Sequence, residues 1–165
     1  MSPTGYSRTQ ISLHWAVAVL VLLQFVLNDG IKAVMRALSR GYEPGSSDQI
    51  MAQFHVLAGI SIFVLALARL AIRLKRGAPK PPAHEPAYLK LAAHITHIAL
   101  YAGLLLLPMS GSIAWFGGVE AAGELHEAGT SMLQLFAFLH IGGAIYQHFI
   151  LKSDVLKRIV KPQKS

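Results

Sequence analysis

Long segments without charged side chains alternate with short polar connections along this chain. The uncharged segments are 9–28, 49–68, 91–119 and 128–151. Each is long enough to cross about 30 Å of hydrocarbon as a helix, which takes roughly 20 residues. Buried helices of soluble proteins usually keep a charged face, and these segments have none. The pattern therefore predicts an all-α, integral membrane four-helix bundle rather than a soluble bundle.

We predict spans at approximately 10–29, 49–74, 88–114 and 126–151, within a single transmembrane domain over residues 1–165. One domain suits a chain of this length. The triplet Asn28-Asp29-Gly30 is expected to end the first span, and Asp48 is expected to cap the second. Pro108 and Gly111 are expected to bend the outer half of the third span.

The connection between the first two spans has a helical pattern of its own. Its apolar positions are Ile31, Val34, Met35 and Leu38, and the cations on the other face are Lys32, Arg36 and Arg40. This spacing predicts a short amphipathic helix that lies on the membrane surface. An irregular loop is the alternative.

Charge is scarce and unevenly distributed. Only 14% of the residues are charged and 53% are hydrophobic, whereas about a quarter of a soluble domain is charged. The net charge of +7 comes mainly from bases between the second and third spans and in the tail, while the connection before the fourth span is acidic. The positive-inside rule then predicts cytoplasmic termini. We expect membrane lipid as a partner and no nucleic acid, because the bases flank apolar helices.

The chain has no cysteine. This excludes disulfides, thiolate chemistry, iron–sulfur clusters and covalent attachment of c-type haem. A zinc site made of histidines stays open.

Seven of the eight histidines lie in or beside the predicted spans, where ionisable side chains are costly and usually functional. His140 follows His126 by 14 positions, which is about 40° short of four helical turns, with a rise of about 21 Å. The two imidazoles therefore face the same side of the last helix. This arrangement predicts that the last helix supplies one ligand to each of two haems, and that the second histidine of each haem comes from another helix. A histidine buried only for structure is the alternative at each position.

Depth in the membrane suggests the pairs. His55 and His126 both come early in spans that enter from outside. His14 lies near the inner end of the first span and His140 near mid-membrane, so that pair fits more loosely. The rival inner ligands on depth alone are His94, His97 and His148.

Small side chains follow the four favoured histidines three or four positions later, where bulk would collide with the edge of a macrocycle. They are Ala18, Ala58, Gly59, Gly129, Thr130, Gly143 and Ala144. Small residues also promote helix packing in membranes, which is the alternative explanation. Ligation by two imidazoles leaves no open position on iron, so such haems transfer electrons. The cations that could hold the propionates are Arg8, Arg69 and Arg73 inside and Lys32, Arg36 and Arg40 outside; topology signals or interfacial anchors are their simpler roles.

Several motifs resemble the bacterial cytochrome b561 family over nearly the whole chain. They are the run from Tyr6 to Trp15 (YSRTQISLHW), His55 followed by Gly59-Ile60, the Arg69–Arg73 end of the second span, Ala93-His94 with His97, Leu107-Pro108 with Gly111, and the interval from His126 to His140. The resemblance implies a multi-pass protein of the bacterial inner membrane with two haem b groups. By position it implies that His14 and His140 hold the inner haem and that His55 and His126 hold the outer one.

The same resemblance implies a quinone-linked oxidoreductase that takes electrons from an outer donor, such as superoxide, and passes them to ubiquinone. The candidates for quinone contacts or proton delivery are His94, His97, Gln147 and His148, because histidine exchanges protons near neutral pH. Lys32, Arg36 and Arg40 are candidates for steering an anionic donor.

Two other functions remain open from the sequence. The protein could be the haem-bearing membrane anchor of a larger respiratory complex and conduct electrons without its own catalysis. It could also be a histidine-lined transporter of protons or a divalent metal, although few carboxylates lie within the spans.

Overall fold

The computed structural model describes residues 3–82 and 85–162, and every regular element in them is a helix. The helices are α1 (Arg8–Val26), α2 (Asp29–Ser39), α3 (Ser46–Arg76), α4 (Ala87–Gly117), α5 (Glu120–Phe149) and α6 (Val155–Val160). The helices long and apolar enough to cross a membrane are α1, α3, α4 and α5, with mean hydropathies between 1.3 and 2.1. The predicted all-α membrane bundle is confirmed.

Several predicted boundaries are wrong. The first span ends at Val26, and Asp29 and Gly30 belong to α2 instead of a turn. Helix α3 begins at Ser46 with Gly45 as its N-cap, so Asp48 lies inside the first turn. An acidic side chain there still favours the helix, because it faces the positive end of the helix dipole.

The fourth span begins six residues earlier than predicted. Gly118 caps α4 in the left-handed conformation, with φ 66°, and Val119 is the extended N-cap of α5. Glycine adopts a positive φ without the steric cost that a Cβ brings. The tight reversal at Gly118 and Val119 therefore lets α5 start at Glu120, before its uncharged segment.

The amphipathic helix expected in the first connection is present as α2. Its Val34 is 3% exposed, whereas Met35 and Leu38 are about half exposed. Gly30 packs against the Met51 side chain of α3, and a Cβ at this position would collide with it. Helix α2 is therefore fixed to the first turns of α3, which also carry His55.

The four long helices pack in chain order, α1 on α3, α3 on α4 and α4 on α5. Val17, Ile62, Ala66 and Leu104 form the apolar core where α1, α3 and α4 meet. Among the described residues, α5 makes few close backbone approaches to α1 or α3. The bundle is therefore open along the side where α5 faces α1 and α3.

Polar contacts gather the start of α1, the end of α3 and the tail at one end of the bundle, called here the terminal end. Ser7 and Gln10 form a reciprocal capping box at α1, and the Gln10 side chain donates to the Gly77 carbonyl at 3.2 Å. The Trp15 indole donates to the Ile159 carbonyl of α6 at 3.0 Å. Helix α2 lies at the opposite end, called here the α2 end.

Helix α6 is joined to the connection between α3 and α4 by Arg158. Its guanidinium donates to the Lys80 carbonyl at 2.8 Å and pairs with Asp154 at 2.7 Å. The hydrogen bond from Arg158 lowers the pKa of the Asp154 carboxyl. The tail is thus part of the folded terminal end.

Candidate cofactor site

The first predicted histidine pair is formed near the α2 end. His55 on α3 and His126 on α5 face each other with ring centroids 6.1 Å apart and an interplanar angle of 73°. The Nδ1 atom of His126 lies 2.8 Å from the Leu107 carbonyl oxygen of α4. Because a carbonyl only accepts, Nδ1 carries the proton and Nε2 keeps a free lone pair.

His55 is held differently from His126. The Gln24 amide of α1 donates to the His55 backbone carbonyl at 2.8 Å, which fixes the helix at this turn. The Nδ1 atom of the His55 ring is buried and has no hydrogen-bond partner. The His55 imidazole is thus left unpaired beside His126.

The second predicted pair lies nearer the terminal end. The ring centroids of His14 on α1 and His140 on α5 are 6.2 Å apart, with an interplanar angle of 61°. The Nδ1 atom of His14 is also buried without a partner. The two histidines that depth alone matched loosely are brought together.

Both pairs have the spacing that a shared metal requires. An imidazole nitrogen binds a metal at about 2 Å, so a metal between two rings places their centres about 6 Å apart. The observed separations are 6.1 and 6.2 Å. In the described part of the chain no three histidine, cysteine or acidic side chains converge as a metal site. Each pair therefore suits a metal whose remaining ligands come from a cofactor, as in haem, rather than zinc, which takes three or more protein ligands.

The space beside α5 also suits a large cofactor. No heavy atom lies within 4 Å of the Cβ position that a side chain at Gly142 or Gly143 would occupy. Gly143 lies about 60° from His140 around α5, whereas Gly142 lies about 160° away, on the other side of the helix. The open space at Gly143 therefore adjoins the side of α5 that α1 and α3 do not approach closely.

The small residues after the histidines do not all serve the same purpose. A Cβ at Gly129 would lie 2.5 Å from the Leu107 side chain, and one at Gly59 would lie 3.4 Å from the Gln24 amide. Helix packing is therefore sufficient to account for Gly129, whereas the contact at Gly59 is close to an ordinary one and favours neither explanation. Gly143 borders open space and keeps that interpretation.

A third histidine joins the pair near the terminal end. His97 on α4 has its ring centroid 5.2 Å from that of His140, nearer than His14 but too near for the two rings to bind one metal from opposite sides, as haem ligands do. His94 is exposed on the same helix. His148 lies at the end of α5, with Nδ1 3.3 Å from the Ser153 carbonyl oxygen. Of the three alternative inner ligands, only His97 lies beside the His14/His140 pair.

Gln147 lies on the same face of α5 as His140, because seven residues are about 20° short of two turns, with a rise of about 10 Å. Its amide donates to the carboxylate of Glu85, which is 8% exposed. The Oε1 atom of Gln147 is buried without a partner. Glu85 gave no signal in the sequence, because it lies in a proline-rich connection.

The inner cations differ in their distance from the histidines. The Arg69 charge interacts with both His14 and His140. The guanidinium carbons of Arg69 and Arg73 lie 5.7 and 6.0 Å from the centroid of the Tyr101 ring. Arg8 is exposed at the start of α1. Arg69 is therefore the cation that the fold brings to the His14/His140 pair.

The predicted outer cations, Lys32, Arg36 and Arg40, are all exposed on α2. Arg36 and Arg40 line a shallow cavity together with Tyr42 and two alanines. The cavity gathers positive charge at the α2 end, close to the turns of α3 that lead to His55.

Comparisons with known proteins agree over almost the full length. The family described as prokaryotic cytochrome b561 matches residues 5–162. A protein named cytochrome b562 from Cereibacter sphaeroides is 31% identical over 96% of this chain and 97% of its own length. Cytochrome b561 homolog 1 of Escherichia coli is 29% identical, over 96% and 98%. The probable superoxide oxidase CybB of Yersinia pestis is 28% identical, over 96% and 97%.

Proposed function

Because the chain belongs to the prokaryotic cytochrome b561 family, a family of membrane electron-transfer proteins that bind haem b, we propose that it is a dihaem quinone-linked oxidoreductase. The resemblance found in the sequence motifs is thereby confirmed, and the protein is a multi-pass protein of the bacterial inner membrane. The proposal treats residues 1–165 as a single transmembrane domain that carries electrons from an outer donor to ubiquinone.

The observation that carries this proposal is the pair of facing imidazoles at each of two levels of α5. His55 and His126 would hold one haem b, and His14 and His140 would hold the other, as axial ligands. The positions of His126 and His140 on one helix separate the two levels by about 21 Å. When bound, two such haems supply one-electron transfer between the ends of the protein, with no open position for oxygen.

We assign the terminal end to the cytoplasm. Residues 69–90, from the last turns of α3 to the start of α4, and the tail after α5 together carry 11 of the 15 lysines and arginines, whereas the first two turns of α5 carry Glu120, Glu124 and Glu127. Bases favour the cytoplasmic side. The His14/His140 pair is then the inner site and the His55/His126 pair the outer site.

Arg69 is the favoured partner for the inner propionates, since its charge already interacts with both inner histidines. The Arg73 guanidinium lies over the same Tyr101 ring and is a second candidate. Arg8, at the exposed start of α1, is a third. At the outer site Lys32, Arg36 and Arg40 are the candidates, because α2 packs against the first turns of α3, which carry His55.

Ubiquinone would bind near the terminal end, beside the inner site. His97 supports this assignment because its ring lies 5.2 Å from that of His140 and it fits no metal between them. Gln147 supports it because its unpaired Oε1 is buried on the His140 face. His97 would hold or deliver a proton at an imidazole nitrogen, and Gln147 would orient the ring. His94 and His148 are further candidates at the same end.

The proposed donor is superoxide, which is the substrate named for the Yersinia pestis relative. Superoxide is an anion, and the arginines of the α2 cavity would raise its local concentration near the outer site. Such steering acts over roughly a Debye length and weakens as salt is added.

We expect the triple variant Lys32→Gln, Arg36→Gln, Arg40→Gln to slow superoxide-driven haem reduction by about tenfold at low ionic strength. Its rate should also depend less on salt than that of the wild type. The matched control removes the same charge at the terminal end, as Lys152→Gln, Lys157→Gln, Lys161→Gln. Stopped-flow absorbance in detergent measures both. Equal rates in the triple variant and the wild type, or equal slowing in the control, would remove the steering role.

The whole proposal is tested by the reduced-minus-oxidised visible spectrum of the purified protein, with haem counted per chain by the pyridine method. We expect a b-type spectrum and about two haems per chain, reduced by superoxide and reoxidised by ubiquinone. Two haems that superoxide does not reduce would favour the membrane anchor of a larger complex. A protein that stays colourless after haem supplementation would reject the cytochrome function and favour the transporter.

A further inference from the structure

The Leu107–Gly111 turn of α4 contacts the outer histidine pair, although in the sequence it was only expected to bend the helix. Leu107 and Gly111 are one turn apart, so they share one face of α4. That face meets the His126 ring of α5. The Leu107 carbonyl oxygen lies 2.8 Å from Nδ1 of His126. No comparable contact is made to the facing His55, whose Nδ1 is buried without a partner.

Gly111 lies directly against this ring. A Cβ built at position 111 would lie 2.8 Å from Nδ1 and 2.9 Å from Cε1 of His126. A Cβ, which cannot hydrogen-bond, does not approach other heavy atoms so closely in real structures, so any larger residue would push the ring away. The absence of a side chain at Gly111 is therefore what allows the imidazole to reach the Leu107 carbonyl.

We infer that the Leu107–Gly111 turn is a seat for the His126 imidazole and sets its tautomer and ring plane as a haem ligand. The carbonyl holds the proton on Nδ1, which leaves the lone pair of Nε2 free to bind a metal. A hydrogen bond of this kind raises the basicity of a ligating imidazole. Leu107 and Gly111 are thus positioning residues, and they act only on one of the two haems.

Ser110 also forms a hydrogen bond to the Leu107 carbonyl and so affects the strength of the bond from His126. Its hydroxyl donates to the Leu107 oxygen at 3.0 Å, so it shares with His126 the two lone pairs that a carbonyl offers. Removing this hydroxyl should strengthen the bond from His126. Crowding at Gly111 should weaken that bond. The two changes therefore act on the same ligand in opposite directions.

The inference rests on the proposed dihaem function, and its test separates the two. The variant is Gly111→Ala, and the matched control is Gly103→Ala on the same helix. A Cβ at Gly103 would lie 2.9 Å from the Leu133 side chain of α5, so it crowds the same helix interface equally but touches no histidine. Electron paramagnetic resonance of the oxidised holoprotein and a redox titration are recorded for both. The signal lost in His55→Ala identifies the haem held by His55 and His126.

In Gly111→Ala we expect a shifted resonance and a raised midpoint potential for the His55/His126 haem alone, because a less basic ligand stabilises the ferric state less. Its affinity for haem should fall about tenfold. Ser110→Ala should lower the same potential. Gly103→Ala should leave both haems as in the wild type.

Three results would overturn the inference while leaving the dihaem function intact. One is a Gly111→Ala protein with two haems and wild-type signals. Another is an equal change in Gly103→Ala. The third applies if the Gly111→Ala protein does not accumulate in cells. An unchanged midpoint potential of the His55/His126 haem in Ser110→Ala would then reject the role of the Leu107–Gly111 turn. A wild-type protein with no haem or one haem would reject the proposed function itself.

Discussion

The His55→Ala variant should retain about one haem per chain instead of two. His55 is the only described histidine whose ring faces His126, at 6.1 Å. Without it, one imidazole remains at the outer site, and a second ligand of the same kind is not within reach. The inner pair contains His14 and His140 and should keep its haem. The pyridine method and electron paramagnetic resonance measure the loss.

The functional consequence in His55→Ala should be large. Since superoxide is expected to act at the outer site, its reduction of the remaining haem should fall at least about tenfold. Reduction of that haem by dithionite should be unaffected, which shows that the inner site is intact. His94→Ala is the matched control, because His94 is exposed on α4. Two haems in His55→Ala, or one in His94→Ala, would contradict the assignment of the outer ligands.

The membrane spans could be predicted because apolar length is a strong signal. Their ends could not, because polar turns of a helix that extend into water look like a loop. The start of α5 is the clearest case: Glu120 and Glu124 are exposed helical residues that hydrophobicity assigns to a connection. Gly118 was the available signal, since a left-handed cap needs a glycine.

The pairing of histidines could be predicted at the outer site and only partly at the inner one. The depth estimate placed His14 and His140 about 9 Å apart along the membrane normal. Helix α1 begins at Arg8 and α5 ends at Phe149, so His14 is six residues from one end and His140 nine from the other. The remaining offset of three residues is about 4.5 Å, and the rings meet at 6.2 Å. Boundary errors, rather than wrong residues, made this pair look loose.

The contacts that orient the ligands could not be predicted, because they involve atoms with no sequence signal. Every residue has a backbone carbonyl, so nothing marks that of Leu107 as the partner of His126. Gly111 was visible only as part of a motif expected to bend α4, which remains helical through Pro108. In the same way Gly129 was expected to give clearance for a cofactor, and a Cβ there would meet Leu107. A glycine shows that space is needed and does not show what fills it.

His14→Ala should lose a haem and His97→Ala should not, although both rings lie beside His140. The centroid separation is 6.2 Å for His14 and 5.2 Å for His97, and two imidazoles that bind one metal from opposite sides, as in haem, have centres about 6 Å apart. His14→Ala should therefore lose the inner haem and keep about one haem per chain. His97→Ala should keep both haems and their resonances.

The role left to His97 is at the quinone. In His97→Ala, superoxide should reduce both haems at the wild-type rate, while reoxidation by ubiquinone should slow by about a hundredfold, the lower end of the usual loss when a positioned acid or base is removed. Stopped-flow absorbance separates the two phases in one experiment. His148→Ala, measured alongside, tests a further quinone candidate at the same end, and the slowing should be smaller there because its ring contacts the Ser153 carbonyl rather than His140. If His97→Ala loses a haem and His14→Ala does not, His97 is the inner ligand, and the quinone site must be sought around Gln147 and Glu85.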